Sequence, residues 1–345
     1  MASEKQFSGI PPFPDNVPEI SLSTIPLASL RRSGNGKGHG DLLAACQGLG
    51  FFLLDLRGDE LGETIMAEID QLFDAGKDIM NLPPHVKQSY LHDMPKNSLG
   101  FKSLGQAKTE TNEADRFEWF NLGQDGLMGT SPLQPLPPLV KSHLALFTTF
   151  LKHGQALAAT ITSALETQLG LPETTLMSPP DKPSGSVVRI IKALACPQAE
   201  DLRTSMVHHT DFGTITLLAN VIGGLQVLNP GGSARDEDAW RWVRPRPGCL
   251  IVNIGDALVQ WTGGLLRSNV HRIRFPPGQQ RHVDRYSLAI LFRPERDASM
   301  ASRVAGAQAD QDGHLTAWEW EVKKSMALIK GEAEVKSIGG KAIVA

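Results

Sequence analysis

Apolar positions along this chain follow two different periods, and the change comes near its middle. In the first half they recur at helical spacing. Leu42, Leu43, Cys46 and Leu49 form one such set, broken by Gly48 and Gly50. Ile65, Ile69 and Phe73 form a second, over about Glu60 to Ala75. Leu144, Phe147, Leu151, Leu157, Ile161 and Leu165 form the longest, from Leu139 to about Leu169. Each predicts a helix with one apolar face. Pro83-Pro84 sets up a further short helix carrying Val86, and Gly170-Leu171-Pro172 ends the long one. Met1 to Asn16 reads as an extended lead-in, because Pro12 and Pro14 restrict helix formation. Glu19 to Leu22 and Phe51 to Leu54 read as early strands.

From Ser186 the apolar runs become short and strand-like. They cover Ser186 to Ile191, Thr214 to Leu218, Leu225 to Leu228, Trp240 to Val243, Cys249 to Asn253, Val270 to Phe275 and Ser287 to Phe292. Glycine, proline and asparagine turns separate them, which argues for a jelly roll or another closed sheet. The expected fold is mainly β with a helical layer. The expected organisation is a single catalytic unit over residues 1–345. It has an N-terminal mixed α/β region at about 1–125 and a jelly-roll core at about 180–300. Thr316 and Glu319 stand as a capping box before a last helix, Ala317 to Ile329, and the tail after Gly331 reads as loose.

Composition narrows the class. The chain has 345 residues, 41% hydrophobic and 21% charged, with a formal net charge of -3. That balance supplies no electrostatic reason to expect nucleic acid or an anionic membrane as partner. No run of eighteen apolar residues occurs, so no membrane insertion is expected. Cys46, Cys196 and Cys249 match neither a zinc nor a disulfide pattern and fit a reducing, cytoplasmic setting. The basic run from Arg31 to Gly38 lacks a Gly-Lys-Ser/Thr ending and reads as a surface loop.

The chemistry concentrates at Val207-His208-His209-Thr210-Asp211-Phe212-Gly213-Thr214. In extended backbone His209 and Asp211 share a face, offering an imidazole nitrogen and a carboxylate oxygen to one metal ion. His271 is the best third ligand. Two histidines and a carboxylate make the facial triad of non-haem Fe(II) oxygenases, which leaves coordination positions open. Arg285 and Ser287 follow on one strand face, as a carboxylate clamp requires. Gly255-Asp256 reads as a turn. Phe117, Trp119 and Asn121 alternate with Glu118 and Phe120, so one face is free to line a pocket. Phe117, Trp119, Phe120 and Phe292 are the candidate substrate walls.

These motifs closely resemble the Fe(II)- and 2-oxoglutarate-dependent oxygenases, in the branch that includes isopenicillin N synthase and plant flavonoid and gibberellin oxygenases. The resemblance spans nearly the whole chain. It rests on Pro18 to Leu22, Gly48 to Phe52, His209 to Leu218, Gly224 to Val227, Val252 to Asp256, Ser268 to Ile273 and Arg285 to Ser287. It implies a distorted double-stranded β-helix with an N-terminal helical layer. His209, Asp211 and His271 would hold Fe(II), and Arg285 and Ser287 would bind the distal carboxylate of the cosubstrate 2-oxoglutarate, with O2 as second cosubstrate. The expected substrate is a small specialised metabolite. Hydroxylation is the default, with desaturation, epoxidation or ring rearrangement as other outcomes of the same chemistry. Two other readings stand beside it: an isopenicillin N synthase-like oxidase that needs no 2-oxoglutarate, and a metal-containing jelly-roll binding protein without turnover. The chain departs from many relatives around Lys192-Ala193-Leu194, where an asparagine and a tyrosine are expected, and Lys192 is a candidate replacement charge.

Overall fold

The structure, a computed structural model, describes residues 2–32, 36–93, 97–107, 112–196, 204–305, 312–330 and 335–340. The helices are α1 (Ala2–Phe7), α2 (Leu27–Leu30), α3 (Lys37–Gly48), α4 (Glu60–Met80), α5 (Pro84–Gln88), α6 (Gln124–Leu127), α7 (Pro138–Ser142), α8 (Leu144–Leu169), α9 (Asp256–Trp261) and α10 (Ala317–Ile329). The first strands are β1 (Thr24–Pro26), β2 (Phe51–Asp55), β3 (Gly100–Lys102), β4 (Phe117–Gly123), β5 (Val187–Ala193), β6 (Thr204–His209) and β7 (Ile215–Asn220). The remaining strands are β8 (Leu225–Leu228), β9 (Trp240–Trp242), β10 (Cys249–Ile254), β11 (Arg267–Ser268), β12 (His271–Arg274), β13 (Arg285–Leu291) and β14 (Ile338–Gly339).

Two sheets face each other. The major one has eight strands in the order β1-β2-β10-β7-β13-β5-β4-β3, and the minor one has four in the order β6-β12-β8-β9. This is the distorted double-stranded β-helix with helices laid on its outer side. The alternation of strand residues divides the work of the major sheet. Ile190, Leu217, Leu288 and Ile290 point outward into the large core shared with α4 and α8. Arg189, Leu218, Ser287 and Ala289 point inward to the cavity between the sheets. The helices sit close: a Cβ on Gly154 of α8 would lie 2.2 Å from Ile290 Cδ1, and one on Gly76 of α4 would lie 3.3 Å from Ile190. No helix among the described residues is long and apolar enough to cross a membrane.

Most boundaries follow the sequence pattern, including the Thr316–Glu319 capping box on α10. Four do not. The lead-in contains a helix, α1, whose Lys5 bonds Asp74 at 3.0 Å and whose Gln6 bonds the Asp70 carbonyl at 3.3 Å. The first prolines come after it and so do not oppose it. Glu19 to Leu22 is no strand: Glu19 only bridges Trp242, and the first strand starts at Thr24. The long helix is two, because at His143 the N–H turns back to Val140 and the chain leaves helical geometry at φ -103°, ψ 9°. Within the tail, β14 pairs with β11, so Ile338 and Gly339 are docked. Ser33 to Asn35 of the basic run lie outside the described residues.

The turn from β2 into α4 illustrates how tightly the layers join. Asp59 caps α4 by accepting from Gly62 N at 3.1 Å. A Cβ on Gly62 would lie 2.0 Å from the Leu56 carbonyl oxygen, which is backbone and cannot rotate away. Helix propensity alone favours Ala over Gly by about 1 kcal/mol. We nevertheless expect Gly62→Ala to destabilise the fold by about 1–3 kcal/mol, the usual cost of overpacking. Urea unfolding checks this, and a raised midpoint would refute the close approach.

Candidate active site

His209 ends β6 and His271 begins β12, and the two are directly paired across the minor sheet. Asp211 follows in the loop to β7. Ligand atoms of the three lie within 4.8 Å of one another. Asp211 Oδ1 stands 3.7 Å from His209 Nε2 and 3.9 Å from His271 Nε2. Each group is held by its other polar atom. His209 Nδ1 lies 2.9 Å from the Val207 carbonyl, and His271 Nδ1 lies 3.2 Å from the Asn269 carbonyl. A carbonyl only accepts, so Nδ1 carries the proton and Nε2 presents a lone pair. Asp211 Oδ2 accepts from Thr216 Oγ1 at 2.7 Å and Asn253 Nδ2 at 2.8 Å, which leaves Oδ1 free.

The electrostatics agree with that division. Burial, then the neighbouring His271, pushes His209 down to about 4, so it is neutral at pH 7. Burial alone would raise Asp211. The attraction of His271 and His209, with the hydrogen bonds from Asn253 and Thr216, outweighs it and holds the carboxyl at about 2. Two imidazole nitrogens and a carboxylate are a donor set for a divalent first-row metal, with room left for further ligands.

The loop carrying Asp211 is fixed from below. Gly255 N donates to Thr214 O at 2.8 Å, Asp256 N to Asp211 O at 2.7 Å and Ala257 N to Gly213 O at 3.1 Å. These include N–H groups at the start of α9 that have no partner within the helix. Asp256 is therefore the first residue of a helix and not part of a free turn. Its buried carboxylate accepts from Thr210 Oγ1 at 3.0 Å and is paired with Lys324 of α10. The two glycines allow the approach: a Cβ on Gly255 would meet Gly213 O at 2.2 Å, and one on Gly213 would meet Phe292 O at 2.1 Å.

A cavity opens beside the triad, lined from both sheets. Arg285 and Ser287 are on its wall, as the sequence spacing implied. Arg285 is 2% exposed. Its Nε donates to Gly223 O at 2.7 Å and its Nη1 to Ser287 Oγ at 3.2 Å. Nη2 is buried with no protein partner. Burial lowers the guanidinium to about 10, so it remains a cation at pH 7. A buried cation with one unused donor fits an anionic oxygen of a bound molecule.

The four aromatic candidates separate by face. Phe117 and Trp119 lie on the inner side with Ile191, Ala193 and Met206. Trp119 reaches the cavity only through Arg189, whose guanidinium stands 4.9 Å above its ring. Phe120 points to the opposite side and packs 4.5 Å from Phe101. Phe292 belongs to the same outer core. Neither Phe120 nor Phe292 borders the cavity beside the triad, because strand alternation turns both away. Lys192 likewise faces outward, bonding Asn81 Oδ1 at 2.7 Å and pairing with Asp284 at 3.4 Å. Its inward neighbours on β5 are Arg189 and Ile191, both lining the cavity. Arg189, Thr216 and Asn253 carried no weight in the sequence reading. The available signal was one arginine inside the otherwise apolar run Val187 to Ile191.

Comparison with known proteins decides the family. The profile described as the 2OG-Fe(II) oxygenase superfamily matches residues 184–294, which contain every residue of the triad and clamp. A second, described as non-haem dioxygenase in morphine synthesis N-terminal, matches residues 17–136. The 2-oxoglutarate-dependent dioxygenase iboH of Amanita muscaria is 33% identical over 168 residues, 48% of this chain and 79% of the relative. The chain belongs to the 2OG-Fe(II) oxygenase superfamily. The 2-oxoglutarate-dependent dioxygenase frbH of Dothideomycetidae sp. (strain 11243) is 28% identical over 306 residues, covering 86% of this chain and 89% of that one. The fold matches that of a full-length Neurospora crassa protein solved in complex with alpha-KG and thymine. The TM-score is 0.71 at 20% identity, over 89% of this chain and 97% of that one. This oxygenase is thus a non-haem Fe(II)-dependent enzyme with 2-oxoglutarate and O2 as cosubstrates.

The hydrogen bonds to Asp211 Oδ2 generate a prediction. Replacing both donors, as Asn253→Leu with Thr216→Val, frees the carboxylate to rotate. We expect Mn(II) or Fe(II) affinity to fall by about 10–100-fold, the usual cost of losing groups that orient a ligand. Anaerobic calorimetric titration of the apo protein measures it, and unchanged affinity would show that the carboxylate needs no such support.

Proposed function

We propose that this oxygenase holds iron through His209 Nε2, Asp211 Oδ1 and His271 Nε2, and oxidises a small organic metabolite in the adjoining cavity. The observation that carries the reading is the convergence of three free ligand atoms beside a buried guanidinium with a spare donor. Arg285 and Ser287 bind the distal carboxylate of 2-oxoglutarate. Bound iron and 2-oxoglutarate supply oxidative decarboxylation of the keto acid coupled to oxidation of a substrate C–H bond.

The chain's own residues do the positioning. Val207 O and Asn269 O keep both imidazoles in the tautomer that leaves Nε2 unprotonated. Thr216 and Asn253 keep Asp211 Oδ1 aimed at the metal. Gly223 O fixes the Arg285 fork so that Nη2 and Ser287 Oγ meet the incoming carboxylate. The apolar wall, which includes Phe51, Leu218, Leu225, Ile273 and Leu291, excludes water and holds the apolar body of the substrate. Ile191 and Ala193 occupy the inner side of β5, where the family resemblance implies polar groups. The keto-acid end therefore receives no hydrogen bond from those two side chains.

The substrate is a small molecule of the specialised-metabolite kind, oxidised by hydroxylation or by desaturation, epoxidation or ring rearrangement. The support is the apolar part of the cavity lining, together with the thymine complex of the structural neighbour. Incubation with a metabolite library under O2, with succinate and carbon dioxide counted against product, tests the whole reading. Oxidation without succinate would instead mark an oxidase that draws all its electrons from its substrate. No oxygen uptake with any metabolite would leave a binding protein.

Arg285→Leu isolates the clamp. Removing a charged hydrogen-bonding partner costs about 1.5–3 kcal/mol, so the Kd for 2-oxoglutarate should rise by roughly 10–100-fold. Metal affinity should stay unchanged. Wild-type 2-oxoglutarate binding in this variant would move the clamp elsewhere.

A further inference from the structure

Arg189 is the one charged group lining the cavity that the reading above leaves without a task. Arg189, His209, Asp211, His271 and Arg285 are the ionisable residues on the cavity wall among those described. His209, Asp211 and His271 face the metal, and Arg285 faces the cosubstrate. Arg189 enters from the middle of β5, paired across the sheet with Asn121 on one side and Ala289 on the other. Its Nε donates to Asn121 Oδ1 at 2.7 Å, and the Trp119 ring supports the guanidinium at 4.9 Å. Both contacts orient the fork. Neither neutralises it, and among the described residues no carboxylate forms an ion pair with it. Neighbouring cations differ in this respect: Arg293 is paired with Glu321, Lys102 with Asp115 and Lys192 with Asp284.

Charge counting gives the same result. Fe(II) brings two positive charges and Asp211 one negative. 2-Oxoglutarate brings two negative and Arg285 one positive. The imidazoles bind as neutral ligands, so these groups cancel. Arg189 remains as a single positive charge in a cavity with mostly apolar walls, where an unpaired ion is costly. Burial, with the nearby Arg293, lowers it to about 10 against the opposing pull of Asp211, which still leaves it charged at pH 7.

We propose that Arg189 is a specificity-determining residue that receives a carboxylate of the substrate, so that this oxygenase acts on a mono-anionic organic acid with an apolar body. A guanidinium fork with two free Nη atoms matches a carboxylate in plane and in charge. A neutral substrate leaves the leftover charge unpaired, and a dianion such as a phosphate monoester overshoots it. Holding the acid at Arg189 also sets which carbon of the apolar body lies beside the triad.

The inference rests on the assignment of iron and 2-oxoglutarate made above, and the test separates the two. The full chain is loaded with Fe(II) and 2-oxoglutarate under nitrogen, and each uptake is measured first by calorimetry. If neither binds, the underlying assignment fails and this inference with it. A library of ring-containing carboxylic acids, each paired with its primary amide, is then titrated without turnover. We expect at least one acid to bind roughly tenfold or more tightly than its amide, as for a charge-assisted pair. Arg189→Gln should remove that gap while the Kd for 2-oxoglutarate stays within about twofold, because Arg285 supplies that site. Arg189→Lys should restore part of it. Acids and amides that bind alike throughout the library overturn the proposal, as does a gap that survives Arg189→Gln. Loss of 2-oxoglutarate affinity in Arg189→Gln also overturns it, since Arg189 would then serve the cosubstrate. Should Arg189→Gln fail to fold, the wild-type gap and Arg189→Lys still decide.

Discussion

Backbone hydrogen bonds from Gly255, Asp256 and Ala257 to the loop at 211–214 are the constraint on which the site depends. A metal centre needs its ligands held to within a fraction of an ångström, and loops are ordinarily the least suited to that. Here the loop between β6 and β7 borrows rigidity from α9, whose leading N–H groups have no partner in their own helix. The exchange satisfies donors on one side and carbonyls on the other. It works only because Gly213 and Gly255 bring the two backbones together without side chains between them. Asp256 and Lys324 extend the support to the C-terminal helix, so a residue of α10 braces the segment between His209 and Asp211.

The major sheet adds a second constraint. Its outer face is apolar and merged with α4 and α8, and its inner face carries Arg189, Arg285, Ser287, Thr216 and Asn253. Buried polar groups on that face are tolerated because each has a partner or borders the cavity. Arg285 Nη2 has no protein partner, and the residue borders the cavity.

Much of this was legible in the sequence. His209 with Asp211, and Arg285 with Ser287, are each two residues apart on extended chain, which puts each pair on one face; the place of His271 beside them came from the family resemblance. The fold class was legible for a related reason, since the shift from helical to short strand-like runs marks the helical layer and the sheets. What the residues alone did not reveal depended on which face of a strand is inner. Phe120 and Phe292 look like pocket walls until the register with β5 and β7 turns them outward. Arg189 looks like an interruption in an apolar strand until Ala289 and Asn121 flank it. Asp256 follows a glycine and reads as a turn, whereas its N–H is committed to Asp211 and its carboxylate to Lys324. Helix α1 escaped because its stability comes from contacts with α4 more than sixty residues away.

The two-residue period of β5 and β13 has a consequence for how such an enzyme changes over generations. Positions 189, 191, 287 and 289 face the cavity, while 188, 190, 288 and 290 face the helices. A substitution at one set leaves the packing of the other in place. A change at an inward position therefore reshapes the cavity while the outward side chains keep their contacts with the helices. The ligand-bearing loop lacks that freedom, because its glycines are pinned backbone to backbone. Descent from a common scaffold should accordingly leave the metal loop nearly fixed while the inner face of β5 diversifies.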